Sequence, residues 1–260
     1  MFNRAFRFKN AICRSPGVSV AQGLRSGSSR NPNPLAMQRE HSAYVSALAD
    51  SGLQVILLSA LEDFPDSVFI EDAAVCTGNT AILTRPRAPS RAKEPSTIRT
   101  VLRENFDYVL NLDDDCNVDG GDVLLTDNDA FIGLSERTNR HGYLSLASIL
   151  SELDYHCQMI EVPDKVLHFK SDCSLLDTNT ILSTERLATT GCFDNYDVIA
   201  VPSGEEEAAN LIRINDSILM RTGFPKTKRL LQDANYQVVT IDVKEAALID
   251  GGLSCMSLRF

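Results

Sequence analysis

Asp72, Asp119, His168 and Cys255 recur along the 260-residue chain at intervals of roughly 45 residues, with Asn210 in the remaining slot, the signature of one position repeated in each unit of an array. A cysteine serves as a nucleophile where its thiolate is favoured. His168 is suited to general base and acid work, and Asp119 can orient the imidazole in a Cys/His/Asp set defined by roles, not by sequence order. Glu71 beside Asp72 leaves carboxylates in surplus. Paired carboxylates suit a planar cation held in fork fashion, a guanidinium. Attack of the thiolate on a guanidinium carbon would expel an amine and leave a thiouronium, which water hydrolyses to a urea.

Each residue alone has a plainer account: a core histidine, a turn at Asp119-Gly120-Gly121-Asp122, a solvated Glu71-Asp72 pair, an inert thiol in an edge strand. The common spacing is what favours one shared site. Asp, His and Cys around zinc is the competing arrangement. Those residues span the chain without the local spacing of structural zinc sites, although a Cys–His pair remains able to capture an inhibitory zinc.

The elements that must position these residues also repeat. Five short apolar strands are expected at Val55–Ser59, Tyr108–Leu112, Cys157–Val162, Tyr196–Val201 and Gln237–Val243, read as the central strands of their units. Each is followed by an extended pair with a polar turn. Val68–Val75 turns at Gly78-Asn79 and returns as Ala81–Thr84; Asp122–Leu125 turns at Asp127-Asn128 and returns as Ala130–Leu134. The third pair turns around Thr178-Asn179 and the fourth at Asn215-Asp216. Helical periodicity marks His41–Ala49, Pro95–Glu104, Gly142–Leu153, Ser183–Ala188 and Pro225–Ala234. The fifth pair is incomplete, since Ser254–Phe260 ends the chain. Phe8–Cys13 is likewise an orphan strand, and pairing the two would hide both sheet edges. The reading is an α/β ring of five units forming a single domain over residues 1–260, with residues 1–7 a dispensable extension.

Composition narrows the function classes. Lys+Arg 25 against Asp+Glu 35 gives a net charge of −10, which argues against a nucleic-acid partner held through phosphates. No apolar run approaches the ~18 residues of a membrane span. Seven cysteines without a C-x-x-C fit a reduced, cytoplasmic protein. Residues 1–39 contain seven Lys and Arg and no acid, a composition shared with transit peptides that leaves organellar import open. Monomer and homodimer are both compatible with the sequence, and no cofactor is expected.

The residues resemble a known family. Phe64–Asp72, Ala88–Arg91, Asp119–Asp122, Ile132–Asn139, Val166–Lys170 and Asp250–Phe260 are similar, in order, to motifs of the dimethylarginine dimethylaminohydrolases within the guanidine-modifying (pentein) superfamily. The resemblance implies a five-bladed ββαβ propeller with pseudo-fivefold symmetry. It implies Cys255 as nucleophile, His168 as acid and base, and Asp119 as third member, where some relatives carry Glu. Asp72 and Glu71 fall on the family's acidic pair; Asp66, Arg91 and Arg137 fall where the amino-acid end of the substrate is held. Leu24 matches a lid leucine, within a loop at Gly23–Ser29 suited to opening and closing. Phe69 and Ile249 match pocket walls, and Asn210 is given a structural role. The implied reaction is hydrolysis of Nω-methylated L-arginine to L-citrulline and a methylamine. Arginine deimination, amidino transfer and a guanidine-binding sensor are the alternatives.

Overall fold

The computed structural model describes residues 5–27 and 30–260; residues 1–4 and 28–29, the latter at the end of the expected lid loop, lie outside the described residues. The chain opens with strand β1 (Asn10–Arg14), helix α1 (Pro34–Asp50) and strand β2 (Gln54–Leu58). Three full modules follow: β3 (Ala74–Thr77), β4 (Thr80–Leu83), α2 (Glu94–Asn105) and β5 (Tyr108–Asn111); β6 (Val123–Leu125), β7 (Asp129–Leu134), α3 (Arg140–Glu152) and β8 (His156–Glu161); β9 (Cys173–Leu175), β10 (Thr180–Ser183), α4 (Glu185–Ala188) and β11 (Asp197–Ala200). The fourth is β12 (Ile212–Ile214), β13 (Ser217–Arg221), α5 (Pro225–Asp233) and β14 (Gln237–Ile241). Helix α6 (Lys244–Ala247) and strand β15 (Leu258–Arg259) close the chain.

Every sheet has three strands in the order hairpin partner, middle strand, outer strand. The first two are antiparallel. The third runs parallel to the middle one, because the helix between them supplies the crossover that parallel pairing requires. The module containing both chain ends obeys the same rule. β15 pairs antiparallel with β1, placing Ala11 opposite Arg259 and Ile12 opposite Leu258, while β2 pairs parallel to β1 on the other side. The architecture is thus α/β, five modules in a propeller-like arrangement, with the expected partnership of the two termini in place.

Three expectations need correction. The five apolar strands read as central are the outer strands of their sheets, and Leu57 is 52% exposed and Tyr108 58%. The middle strand is sandwiched on both edges and buried throughout in β4, whereas an outer strand has a neighbour on one edge alone. The strand expected over Val68–Val75 begins only at Ala74, after a 3₁₀ turn at Ile70–Ala73; Ser254–Met256 is a 3₁₀ turn as well. Residues 5–7 are part of the fold. Phe6 is buried within the cluster of Phe131, Phe169 and Phe193, its carbonyl accepts from Asn215 N at 2.8 Å, and Arg7 pairs with Asp216 at 2.7 Å.

Helix starts follow local chemistry. Asn33 caps α1, accepting from Ala36 N at 3.0 Å, with Pro34 in the first turn, and Asn139 caps α3 through Gly142 N at 2.7 Å. Among the described residues no helix is long and apolar enough to cross a membrane.

Candidate active site

A 3₁₀ turn introduces the first strand of each module: Ile70–Ala73, Gly120–Asp122, Phe169–Ser171, Glu206–Ala209 and, before β15, Ser254–Met256. The recurring residues sit on these turns, though not in register. Asp72 and Cys255 lie inside theirs, Asp119 and His168 immediately precede theirs, and Asn210 follows its own. With about three residues per turn, neighbouring side chains diverge by roughly 120°. This explains why Glu71 and Asp72 do not act as a pair. Asp72 faces the site, whereas Glu71 points to the opposite side, where Lys170 Nζ lies at 2.7 Å, Arg259 Nη2 at 2.9 Å and Ser254 Oγ at 2.9 Å. The structure therefore does not bring Glu71 to the substrate cavity.

The cavity gathers Asp72, His168 and Cys255 with Asp66, Arg91 and Arg137; Leu24, Phe69 and Ile249 form its apolar walls. Asp119 reaches it from behind the histidine. His168 Nε2 is 3.1 Å from Asp119 Oδ2 and 4.0 Å from Asp72 Oδ1, so the shorter aspartate spans the distance. The two glycines of Asp119-Gly120-Gly121-Asp122 are explained by crowding: a Cβ on Gly121 would lie 2.7 Å from His168 Nδ1, and one on Gly120 would lie 2.0 Å from the Glu71 carbonyl oxygen.

The electrostatics set the protonation states. Burial disfavours a charged His168, but Asp72, Asp119 and Asp122 together outweigh it and push the imidazole up to about 9. Burial also acts against ionisation of Asp72, and there the positive charges of His168 and Arg91 prevail, pulling it down to about 2. Cys255 is pushed up to about 12, chiefly by burial and then by the charges of Glu71 and Asp72. The resting cavity thus holds both a neutral thiol and an imidazolium. Asp72, Asp119 and His168 offer donor atoms within 4.8 Å of one another, a set that does not include Cys255. The imidazolium itself already supplies the cation those carboxylates require.

Arg91 and Arg137 differ sharply. Arg91 is buried, donating to Asp72 Oδ2 at 2.5 Å, to Glu94 Oε2 at 2.8 Å and to the Phe69 carbonyl at 2.8 Å. The side chain of Arg137 makes no hydrogen bond or ion pair among the described residues and is free to take a carboxylate. Asp66 Oδ1 accepts from Leu24 N at 2.9 Å, and Asp250 Oδ2 accepts from Ser26 N at 2.6 Å, so the segment bearing Leu24 is latched over the cavity. The free volume within it is about 30 Å³, room for a couple of waters.

Sequence reasoning missed Leu167, Asp250 and Gly251 in the lining. It also missed two buried acids behind it. Glu94 anchors Arg91 and is pushed up to about 7 by burial. Asp122 accepts from Ser135 Oγ, Thr138 Oγ1 and Phe169 N, tying the Arg137 loop to the histidine turn. The acidity at both ends of Asp119–Asp122 was the available signal for the second.

A family described as N,N dimethylarginine dimethylhydrolase, eukaryotic, matches residues 27–258. The N(G),N(G)-dimethylarginine dimethylaminohydrolase of Pseudomonas aeruginosa is 35% identical over 254 residues, covering 97% of this chain and 100% of that one. The chain belongs to the dimethylarginine dimethylaminohydrolase family. The solved structure of a cysteine-to-serine mutant of the P. aeruginosa protein, complexed with citrulline, superposes with a TM-score of 0.95 at 34% identity, over 98% of this chain and 100% of that one. A histidine-to-glycine mutant of a dimethylarginine dimethylaminohydrolase, seen as an adduct with S-methyl-L-thiocitrulline, superposes with a TM-score of 0.94 at 34% identity, over 97% of this chain and 100% of that one. The dimethylarginine dimethylaminohydrolase family is thus defined here along almost the whole chain.

Proposed function

We propose that this protein hydrolyses Nω-methylated L-arginine to L-citrulline and a methylamine, with Cys255 as nucleophile, His168 as acid and base, and Asp119 orienting the imidazole. The observation that carries the reading is the meeting of Cys255, His168 and Asp72 in one cavity with Asp66 and Arg137. A nucleophile, an acid and a guanidinium-binding carboxylate thus share a site with counter-charges for an α-ammonium and an α-carboxylate. The citrulline complex of the P. aeruginosa relative supports the same product.

The reaction follows from the protonation states. With the thiol at about 12, Cys255 becomes a thiolate when the substrate guanidinium brings its positive charge beside the sulfur and Asp72; its proton passes to solvent, since the imidazolium of His168 has no site left to take it. The thiolate adds to the guanidinium carbon. His168 Nε2–H is engaged by Asp119, which leaves Nδ1–H as the mobile proton. It passes to the departing nitrogen, the C–N bond breaks, and a methylamine leaves. The neutral imidazole then takes a proton from water as the oxygen adds to the thiouronium carbon. Collapse breaks the C–S bond as the adduct's hydroxyl gives up its proton, yielding citrulline and returning the sulfur to the thiol. Arg137 and Asp66 hold the amino-acid end, with Arg91 beside them.

The test is a product assay offering asymmetric dimethylarginine, monomethylarginine and arginine in parallel to wild type and Cys255→Ser. Citrulline with dimethylamine from the first, absent in Cys255→Ser, is expected. Citrulline with ammonia from arginine alone would replace the reading with a deiminase, and full turnover by Cys255→Ser would remove the nucleophile.

A further inference from the structure

His168 and Cys255 arrive at the cavity on turns from different modules, and among the described residues the hydrogen bonds linking those turns pass through neither residue. Asn210, on a third module, makes the link. Its Nδ2 donates to the Lys170 carbonyl at 2.9 Å, two residues beyond His168, and to Ser254 Oγ at 3.0 Å, beside Cys255. Its Oδ1 accepts from Ser254 N at 3.2 Å. Ser254 Oγ in turn donates to Glu71 Oε2 at 2.9 Å, and Glu71 Oε1 holds Lys170 Nζ at 2.7 Å. The circuit Asn210–Ser254–Glu71–Lys170 therefore closes on itself, joining the histidine turn to the cysteine turn. Gly252 accommodates it: a Cβ there would stand 2.2 Å from Asn210 Oδ1.

We propose that Asn210 is a positioning residue for the reaction assigned above, fixing the spacing of the Cys255 sulfur from the His168 imidazole through this circuit. The inference rests on that reading of the site. An asparagine suits the role because one short planar amide must give two N–H groups and accept one. Aspartate has the shape without the donors, and alanine has neither. Glu71 acquires a role here as the acceptor that fixes Ser254 Oγ from the far side.

The experiment compares wild type, Asn210→Ala, Asn210→Asp, Ser254→Ala and the Asn210→Ala/Ser254→Ala double variant. Steady-state kinetics are measured on asymmetric dimethylarginine well below each variant's Tm. A misplacement of about 1 Å costs on the order of a hundredfold in rate, so Asn210→Ala should lose roughly that much kcat with KM nearly unchanged. Asn210→Asp should fare no better, despite its matching shape. The double variant should be no slower than Asn210→Ala alone, because both changes break one circuit. Unchanged kcat in the folded variants, or losses that multiply in the double variant, would overturn the proposal. If Asn210→Ala does not fold, Ser254→Ala decides by the same split between kcat and KM. Should the wild type release no citrulline from any guanidine, the assigned reaction fails on its own account. The positioning role is then read without substrate, from the rate of Cys255 alkylation by iodoacetamide followed by peptide mass. A change of about tenfold in Asn210→Ala is expected, as the sulfur moves relative to Glu71, Asp72 and Lys170, whose charges act on it, and an unchanged rate would overturn it.

Discussion

The charge on His168 is the most exposed point of the proposed chemistry, and Asp119→Asn tests it directly. Asp72, Asp119 and Asp122, acting against burial, lift the imidazole from 6.5 to about 9, a net preference for the imidazolium of about 3 kcal/mol. Asp119 contributes the 3.1 Å hydrogen bond. A hydrogen bond to a charged acceptor is worth about 1.5–3 kcal/mol, or roughly one to two pH units. In Asp119→Asn the imidazole should therefore titrate between about 7 and 8. The assay is the pH dependence of kcat for citrulline release. The alkaline limb, where the leaving nitrogen loses its proton donor, should move from about 9 into that lower range. Asp119→Glu, which keeps the charge, should restore it in part. An alkaline limb that stays in place in Asp119→Asn, whatever happens to the rate, would refute the assignment of His168 as the acid governed by Asp119.

The same shift has a stability counterpart. Because the folded pKa lies above the unfolded one, about 3 kcal/mol of stabilisation is fully present below pH 6.5 and is lost as pH rises through about 9. Urea midpoints measured across that window should fall for wild type and stay flatter for His168→Gln. Arg137→Ala should raise KM about tenfold to a hundredfold, from the loss of one charged hydrogen bond, with kcat nearly unchanged; an unaltered KM would remove Arg137 from carboxylate binding. Phe6→Ala should cost about 3–5 kcal/mol in denaturant unfolding, since Phe6 is 6% exposed against Phe131 and its neighbours. A loss under about 1 kcal/mol would return residues 5–7 to the status of a dispensable extension.

The fold was legible where a local rule acts. Turn chemistry marked the hairpin at Asn215-Asp216, where Asn215 takes a positive φ of 52°, and the presence of one unpartnered strand at each chain end marked the pairing of β1 with β15. The site was legible because one chemically capable residue sits on nearly every inner turn. What failed depends on direction, which spacing does not carry. Glu71 and Asp72 are adjacent in sequence, yet a 3₁₀ turn sends one to Arg91 and His168 and the other to Lys170 and Arg259. The apolar character of β5 and β11 suggested central strands, whereas their place at the sheet edge is set by which neighbour the crossover helix delivers. The partnership of Arg91 with Glu94 lies within one short segment. It went unseen because Arg91 was read only by the ligand it resembled a binder of.

Charge balance links binding, activation and release in the proposed reaction. Asp66, Asp72, Asp119 and Asp122 are all buried and outnumber Arg91, Arg137 and His168 around the cavity. Arg91 and His168 already face Asp72, and an incoming guanidinium adds one more cation to this acidic set. The carboxylates that attract that cation also contribute to holding the Cys255 thiol at about 12 while the cation is absent. The nucleophile is thus protected until a substrate of the right charge arrives, and a neutral urea cannot arm it. Hydrolysis converts the guanidinium to that urea. At the moment citrulline forms, Asp72 loses the guanidinium while keeping Arg91, the thiolate loses the field that stabilised it, and the product is held by its amino-acid end alone.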